Sequence, residues 1–201
     1  MEKDKFYKGL SFLTLSIKYL YLTRNVLNEN IKSGNLHMMS MNEEITGEEY
    51  SEATKWSDFN ISVPILFNFY HGLELLLKGF LLLRNNGVVK HSHHIEKLFE
   101  DFKEKYNEEQ KIISILKKYF EIDLMPDFLA DCLKNNKIQI DNLYEFLRYP
   151  VGKNAQNVYN YINLKYKEEK ILYFFEYLVS DLDALGKEMV GLYRKMEKVK
   201  N

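Results

Sequence analysis

The stretch that decides the fold is SVPILFNFYHGLELLLKGFLLLRNNG, Ser62 to Gly87. Ser62 is a candidate N-cap, Pro64 stands in a first turn where its missing N–H costs little, and Gly87 is a candidate C-terminal glycine. This is the most hydrophobic segment of the chain, and it predicts a central helix. One face interrupts the apolar run: His71, Glu74, Lys78 and Asn85 are spaced by three, four and seven, so a single helical stripe carries all four. Glu74 and Lys78 stand at i, i+4 in the favourable orientation. Periodicity leaves two readings open, a solvated face and a cleft in which the ion pair holds an electrostatic site. His71 reads either as a satisfied core or interface histidine or as part of that site.

On the N-terminal side, Phe6, Leu10, Leu13, Ile17, Leu20, Leu27 and Ile31 draw one apolar stripe down a long first helix that ends near KSGN. Residues 36 to 58 lose the period, gather acidic residues and carry Met38, Met39 and Met41, so they read as a loop or partly ordered excursion suited to partner contact. On the C-terminal side a third helix runs from His94 to about Glu121 with a break near YNEEQ. Two short helices follow, one after Pro126 and one after Asp141, the second ending before Pro150 because the residue preceding proline disfavours helix. A last long helix starts at about Lys165, marked by Ile171, Phe175, Leu178, Leu182, Leu185, Met189 and Leu192. No alternating strand pattern competes and no internal repeat appears. The expected architecture is all-α, a single helical bundle over residues 1–201 with long first, central and last helices.

The charges nearly cancel, 28 basic against 29 acidic, so no global field draws nucleic acid or an anionic membrane, and any RNA contact must be local. The lone cysteine, Cys132, excludes an intramolecular disulfide and a cysteine-rich zinc module, and it reads as a buried structural thiol. Acidic residues open the chain and Lys18 interrupts its first apolar run, unlike a signal peptide. No segment reaches the roughly 18 uncharged apolar residues of a spanning helix. A cytoplasmic protein without membrane partners is expected.

The polar chemistry concentrates in RNNGVVKHSHH, Arg84 to His94. A metal-free ribonuclease needs one group to move a proton between the 2'-hydroxyl and the leaving 5'-oxygen, and a cation for the charge growing on phosphorus. Histidine and arginine suit those tasks. His91, His93 and His94 also invite a metal, but no cysteine or carboxylate stands at a convincing ligand spacing, so neither metal nor cofactor is expected. One of these histidines instead starts the next helix, bonds a backbone group or pairs with a carboxylate such as Glu96. Arg148 and Tyr149 are suited to contacting RNA by charge and stacking, and equally Arg148 is suited to capping the last carbonyls of its short helix.

PILFNFYHGLELLLKGFLLL, a short glycine-bearing loop and HSHHIEKLFE together resemble the central segment of HEPN-superfamily proteins, which are small helical bundles. RNNGVVKH is similar to the superfamily's R-x4-6-H ribonuclease motif at its longest spacing, and FLRYP resembles an arginine-tyrosine-proline element of some members. The resemblance spans roughly residues 60 to 150, and the length and bundle pattern look most like the AbiV type of abortive-infection protein. It implies a homodimeric ribonuclease of phage defence in which Arg84 stabilises the phosphorane and His91 moves the proton. Asn85 would then orient the phosphate, while Glu74, Lys78, His71, His94, Arg148 and Tyr149 bind RNA or support the site. The chain departs from the nuclease members in that the motif closes the second helix rather than opening a late one, and no histidine follows Arg148. Two functions stay open: a defence protein that acts on RNA or the ribosome, and a non-catalytic module of the same fold that binds a phage or host protein. A constitutive growth inhibitor would harm its host, so a phage-encoded protein trigger is expected for either.

Overall fold

The computed structural model describes residues 2–36, 45–84, 93–152, 158–167 and 169–200, and the side chains of 6–196 within them. Asn85, Gly87, His91 and the three methionines of the excursion lie outside the described residues. Among the described residues the fold is an all-α helical bundle of eight helices: α1 (Glu2–Ser33), α2 (Gly47–Thr54), α3 (Asp58–Arg84), α4 (Ile95–Lys105), α5 (Gln110–Phe120), α6 (Asp127–Asn136), α7 (Ile140–Arg148) and α8 (Glu169–Lys200). Short 3-10 turns, Ile122–Leu124 and Ile162–Leu164, join the later helices. The break at YNEEQ and the two short helices stand where the sequence puts them.

α1 and α3 form the spine. They run antiparallel, since Gly9 approaches Leu83, Leu13 approaches Gly79 and Leu20 approaches Gly72. The buried stripe of α1 is Leu13, Leu20 and Leu27 alternating with Ser16, Thr23 and Asn30, two interleaved sets repeating every seven residues. Ile17, placed on the apolar stripe by its hydrophobicity, is instead more than half exposed, because the face towards α3 is chosen by close approach rather than by apolarity. A Cβ built on Gly79 would come 2.6 Å from Leu13 Cδ2 and 3.1 Å from Leu13 N, so only glycine allows this approach. Ser16 Oγ crosses the seam to donate to Gly72 O at 2.7 Å.

α3 starts five residues earlier than an N-cap at Ser62 suggests. Asp58 N donates to Asn35 Oδ1 at 2.6 Å, and Ile61 N donates to Ser57 O, so a residue just beyond α1 caps α3 from across the fold. Asn35 can do so because it and Gly34 take positive φ, 54° and 68°, turning the chain sharply after α1. Ser62 is therefore inside the helix, as is Pro64, and the proline removes the N–H that would have bonded Asn60 O. The supposed excursion also contains α2, begun by a Thr46–Glu49 capping box that no apolar period announces. The last helix begins at Glu169, after a turn held by Lys167 N donating to Asp58 Oδ2 at 2.7 Å.

α3 has the length and apolarity of a membrane-crossing helix, yet 78% of its most apolar window is buried against other helices, as in a core helix. α4 and α7 cover its second face, and α8 packs on α1 and α5. Buried tyrosines pin the layers: Tyr106 Oη donates to Phe80 O at 2.7 Å and Tyr70 Oη to Tyr119 O at 3.1 Å. Tyr119 Oη in turn donates to Asp181 of α8 at 2.8 Å, and Lys118 binds the same carboxylate. Cys132 is buried, as its residue type suggested, and burial pushes its thiol up to about 12.

Candidate active-site groove

Glu74 sits in the middle of α3 with its side chain 4% exposed, and Lys78, one turn on, donates to its Oε1 at 2.6 Å. The described part of the polar stripe, His71, Glu74 and Lys78, thus lies largely inside the bundle rather than on a solvated face, with α4 and α7 packed against α3. His71 Nδ1 is 3.7 Å from Glu74 Oε2, and His93 Nδ1, from the segment entering α4, is 3.0 Å from Oε1. Burial alone would raise this carboxyl, but hydrogen bonds from His71, Lys78 and His93 with the Lys78 charge outweigh it and hold the group down at about 2. Glu74 is therefore ionised at neutral pH and can only accept. To donate to this carboxylate His93 carries a proton on Nδ1, so that in its neutral form Nε2 is the accepting nitrogen, in a ring that is 82% exposed.

α7 supplies the facing wall. Asp141, Tyr144 and Arg148 recur at spacings of three and four, so one helical face presents all three. Asp141 Oδ1 accepts from Glu96 N at 2.9 Å, capping α4 from a neighbouring helix, while its Oδ2 is 3.2 Å from His94 Nδ1. His94 does start α4, but it makes no side-chain cap of its own, and its carboxylate is Asp141 rather than Glu96. Tyr144 stacks with His93 at 6.4 Å and places Oη 3.3 Å from His71 Nδ1. Burial and the Glu74 charge raise its phenol, with Arg148 opposing, so it stays protonated. Arg148 does not cap α7. Its guanidinium lies between the rings of Tyr144 and Tyr149, 5.4 and 5.1 Å from their centroids, with no carboxylate partner among the described residues.

His93, His94, Asp141, Tyr144, Arg148 and Tyr149 line one groove of about 710 Å³. Its wall offers a cation that makes no hydrogen bond among the described residues and an imidazole oriented by Glu74, which together suit binding a phosphate and moving a proton beside it. Arg84 is elsewhere. It lies ten residues beyond Glu74, about 15 Å along the helix axis, where its Nη1 is 3.5 Å from Glu108 and its guanidinium covers Tyr106.

The structure thus gathers Glu74, Lys78, His71, His94, Arg148 and Tyr149 at one place, leaves Arg84 outside it, and does not describe Asn85 or His91. Sequence reasoning passed over His93, Asp141 and Tyr144 as site residues. The three-four spacing of Asp141, Tyr144 and Arg148 was the signal that could have found two of them. Among the described residues no group of three or more histidine, cysteine or acidic side chains is placed to hold a metal ion. Compared with protein-family models, curated proteins and solved structures, the chain matches none.

Proposed function

We propose that the protein is a cytoplasmic HEPN-like ribonuclease of bacterial phage defence, working without metal and using the α4–α7 groove as its active site. The observation that carries this reading is the His93 imidazole, oriented by the ionised Glu74 in a groove that also holds Arg148. His93 Nε2 takes the proton of an RNA 2'-hydroxyl, and the oxygen attacks the adjacent phosphorus. Arg148 binds the non-bridging oxygens, where charge grows. The products are a 2',3'-cyclic phosphate and a 5'-hydroxyl end. Lys78 keeps Glu74 charged and in place, and Tyr149 offers a ring for a nucleobase.

The test is RNA integrity and survival in phage-challenged cells producing the wild type or single alanine variants. His93→Ala and Arg148→Ala are expected to lose resistance and cleavage together while remaining folded. If Arg84→Ala and His91→Ala lose both and the groove variants lose neither, the site is the R-x6-H motif, assembled from two chains. Intact RNA in protected wild-type cells would sink the nuclease reading in either form.

A separate observation favours the interaction module as a second reading. Between α1 and α8 run two adjoining apolar grooves of about 590 and 550 Å³, sharing Ile17, Gly186, Met189 and Val190. Gly186 is in the interior of α8, yet a Cβ there would meet nothing within 4 Å, so no packing inside the chain calls for glycine. Under this reading Gly186→Trp, which fills the groove, abolishes resistance and the histidine variants keep it.

A further inference from the structure

The apolar groove between α1 and α8 has a shape and a charge that specify an occupant. We propose that it receives an amphipathic helix of another protein, apolar along the face that enters the groove and acidic along its flank; this rests on the groove being a docking surface, the second reading above.

The two walls run antiparallel: Arg24 meets Asp183 at 2.6 Å at one end, and Leu10 shares the groove with Tyr193 at the other. On α1 the row Leu10, Thr14, Ile17, Tyr21 and Arg24 recurs at spacings of four and three, so one helical face lines the groove for about 21 Å. Ile17, Tyr21 and, on α8, Val190 are large hydrophobic side chains left exposed. A furrow of this kind accepts a third helix of about four turns, which docks by apolar residues at i, i+3, i+4 and i+7. Gly186 fits the same picture. In the α1–α3 seam a leucine of α1 closes on Gly72 and another on Gly79, whereas at Gly186 nothing stands within 4 Å of where a Cβ would be. An incoming apolar side chain supplies the missing neighbour.

Charge narrows the chemistry of the occupant. The charged residues lining the groove are Arg24, Asp183, Lys187 and Arg194. Arg24 engages both oxygens of Asp183, at 2.6 and 3.2 Å, so these two cancel. Lys187 and Arg194 are exposed, make no ion pair among the described residues and stand two turns apart on one edge of α8. Carboxylates two turns apart on the flank of a docked helix meet both. A second copy of this chain packed groove to groove would bring two more cations and no spare carboxylate, and a bilayer surface is too flat to follow the furrow. An acidic helix satisfies the apolar floor and the basic edge together.

The probe is a fluorescein-labelled synthetic helix of about 15 residues, with leucines along one face and glutamates on its flank, titrated with the purified full chain and followed by fluorescence anisotropy. A second peptide carries lysine at every glutamate position. Wild type is expected to bind the acidic peptide and not the basic one, and to bind more weakly as salt rises. Reversing the edge with Lys187→Glu and Arg194→Glu together should weaken the acidic peptide roughly 3- to 30-fold and admit the basic one. Gly186→Trp should bind neither, and thermal melting verifies that each variant is folded. Failure of wild type to bind the acidic peptide, equal binding of both peptides, or adsorption to phosphatidylserine vesicles in place of peptide overturns the acidic helix as occupant. Phage challenge of cells producing Gly186→Trp separates this from the docking surface itself. Lost resistance without peptide binding by wild type overturns the occupant and leaves the docking surface standing, whereas full resistance overturns both.

Discussion

Glu74 Oε1 lies 3.0 Å from His93 Nδ1, joining the middle of the central helix to a histidine nineteen residues on. The same oxygen receives the Lys78 ammonium at 2.6 Å, so one buried carboxylate fixes both a cation and a proton carrier. Glu74→Gln keeps the size of the side chain and removes its charge. Lys78, its side chain 12% exposed, is then left without a counter-ion, and about 3 kcal/mol of folding stability is expected to go with it. Urea denaturation at neutral pH measures this. A loss below 1 kcal/mol would mean that Lys78 finds water on release and that the cluster is not closed.

The low carboxyl value sets a pH window. Glu74 is depressed from an ordinary value near 4.5 to about 2, so its contribution is complete above about 4.5 and is lost as pH falls from there towards 2. Roughly 3 kcal/mol of the wild-type stability is expected to disappear across that interval on account of this group. The variant Glu74→Gln should show a correspondingly shallower acid limb. Parallel stability curves for the two proteins between pH 5 and 2.5 would contradict the assignment.

The α1–α3 seam and the α8 groove make opposite demands on glycine. Gly79→Ala pushes a methyl group against Leu13, including its backbone, and is expected to cost about 1–3 kcal/mol. Gly186→Ala meets open space in a helix interior and is expected to add about 1 kcal/mol. Melting temperatures of the two variants should therefore move in opposite directions from wild type.

Cys132 gives a probe of opening. Burial raises its thiol to about 12, so at pH 8 almost none is thiolate and the folded chain should resist a thiol-labelling reagent. Labelling should become complete in denaturant. Fast labelling of the native protein would show that the packing of α6 against the core opens readily.

The order of the long helices and the break before Gln110 were legible in the sequence because each rests on local apolar period and on Pro, Gly or polar interruptions, whereas α2, which begins on a capping box, was not. The true start of α3 was not, since its cap is Asn35, held in place by the backbone turn after α1. The face of α1 was misread at Ile17 for a related reason: Gly72 and Gly79 favour close approach by Leu13, Ser16 and Leu20 over the more hydrophobic neighbour. At the site, the i, i+4 pair of Glu74 and Lys78 was visible, but its burial depends on α4 and α7 packing against α3. The partnership of His93 with Glu74 and of His94 with Asp141 joins residues 19 and 47 apart, and no periodicity reaches that far.

The apolarity of α3 carries a liability for the chain during synthesis. α3 alone has the length and apolarity to cross a bilayer and an apolar surface that would stick to another chain, and α4 and α7 are made only after it. α1 precedes it and can meet it as it emerges, with the glycine seam allowing the two backbones to close at once. Changes in that seam, such as Gly79→Ala, would then reveal themselves first as poor yield and aggregation in the producing cell, before any loss is seen in the purified protein.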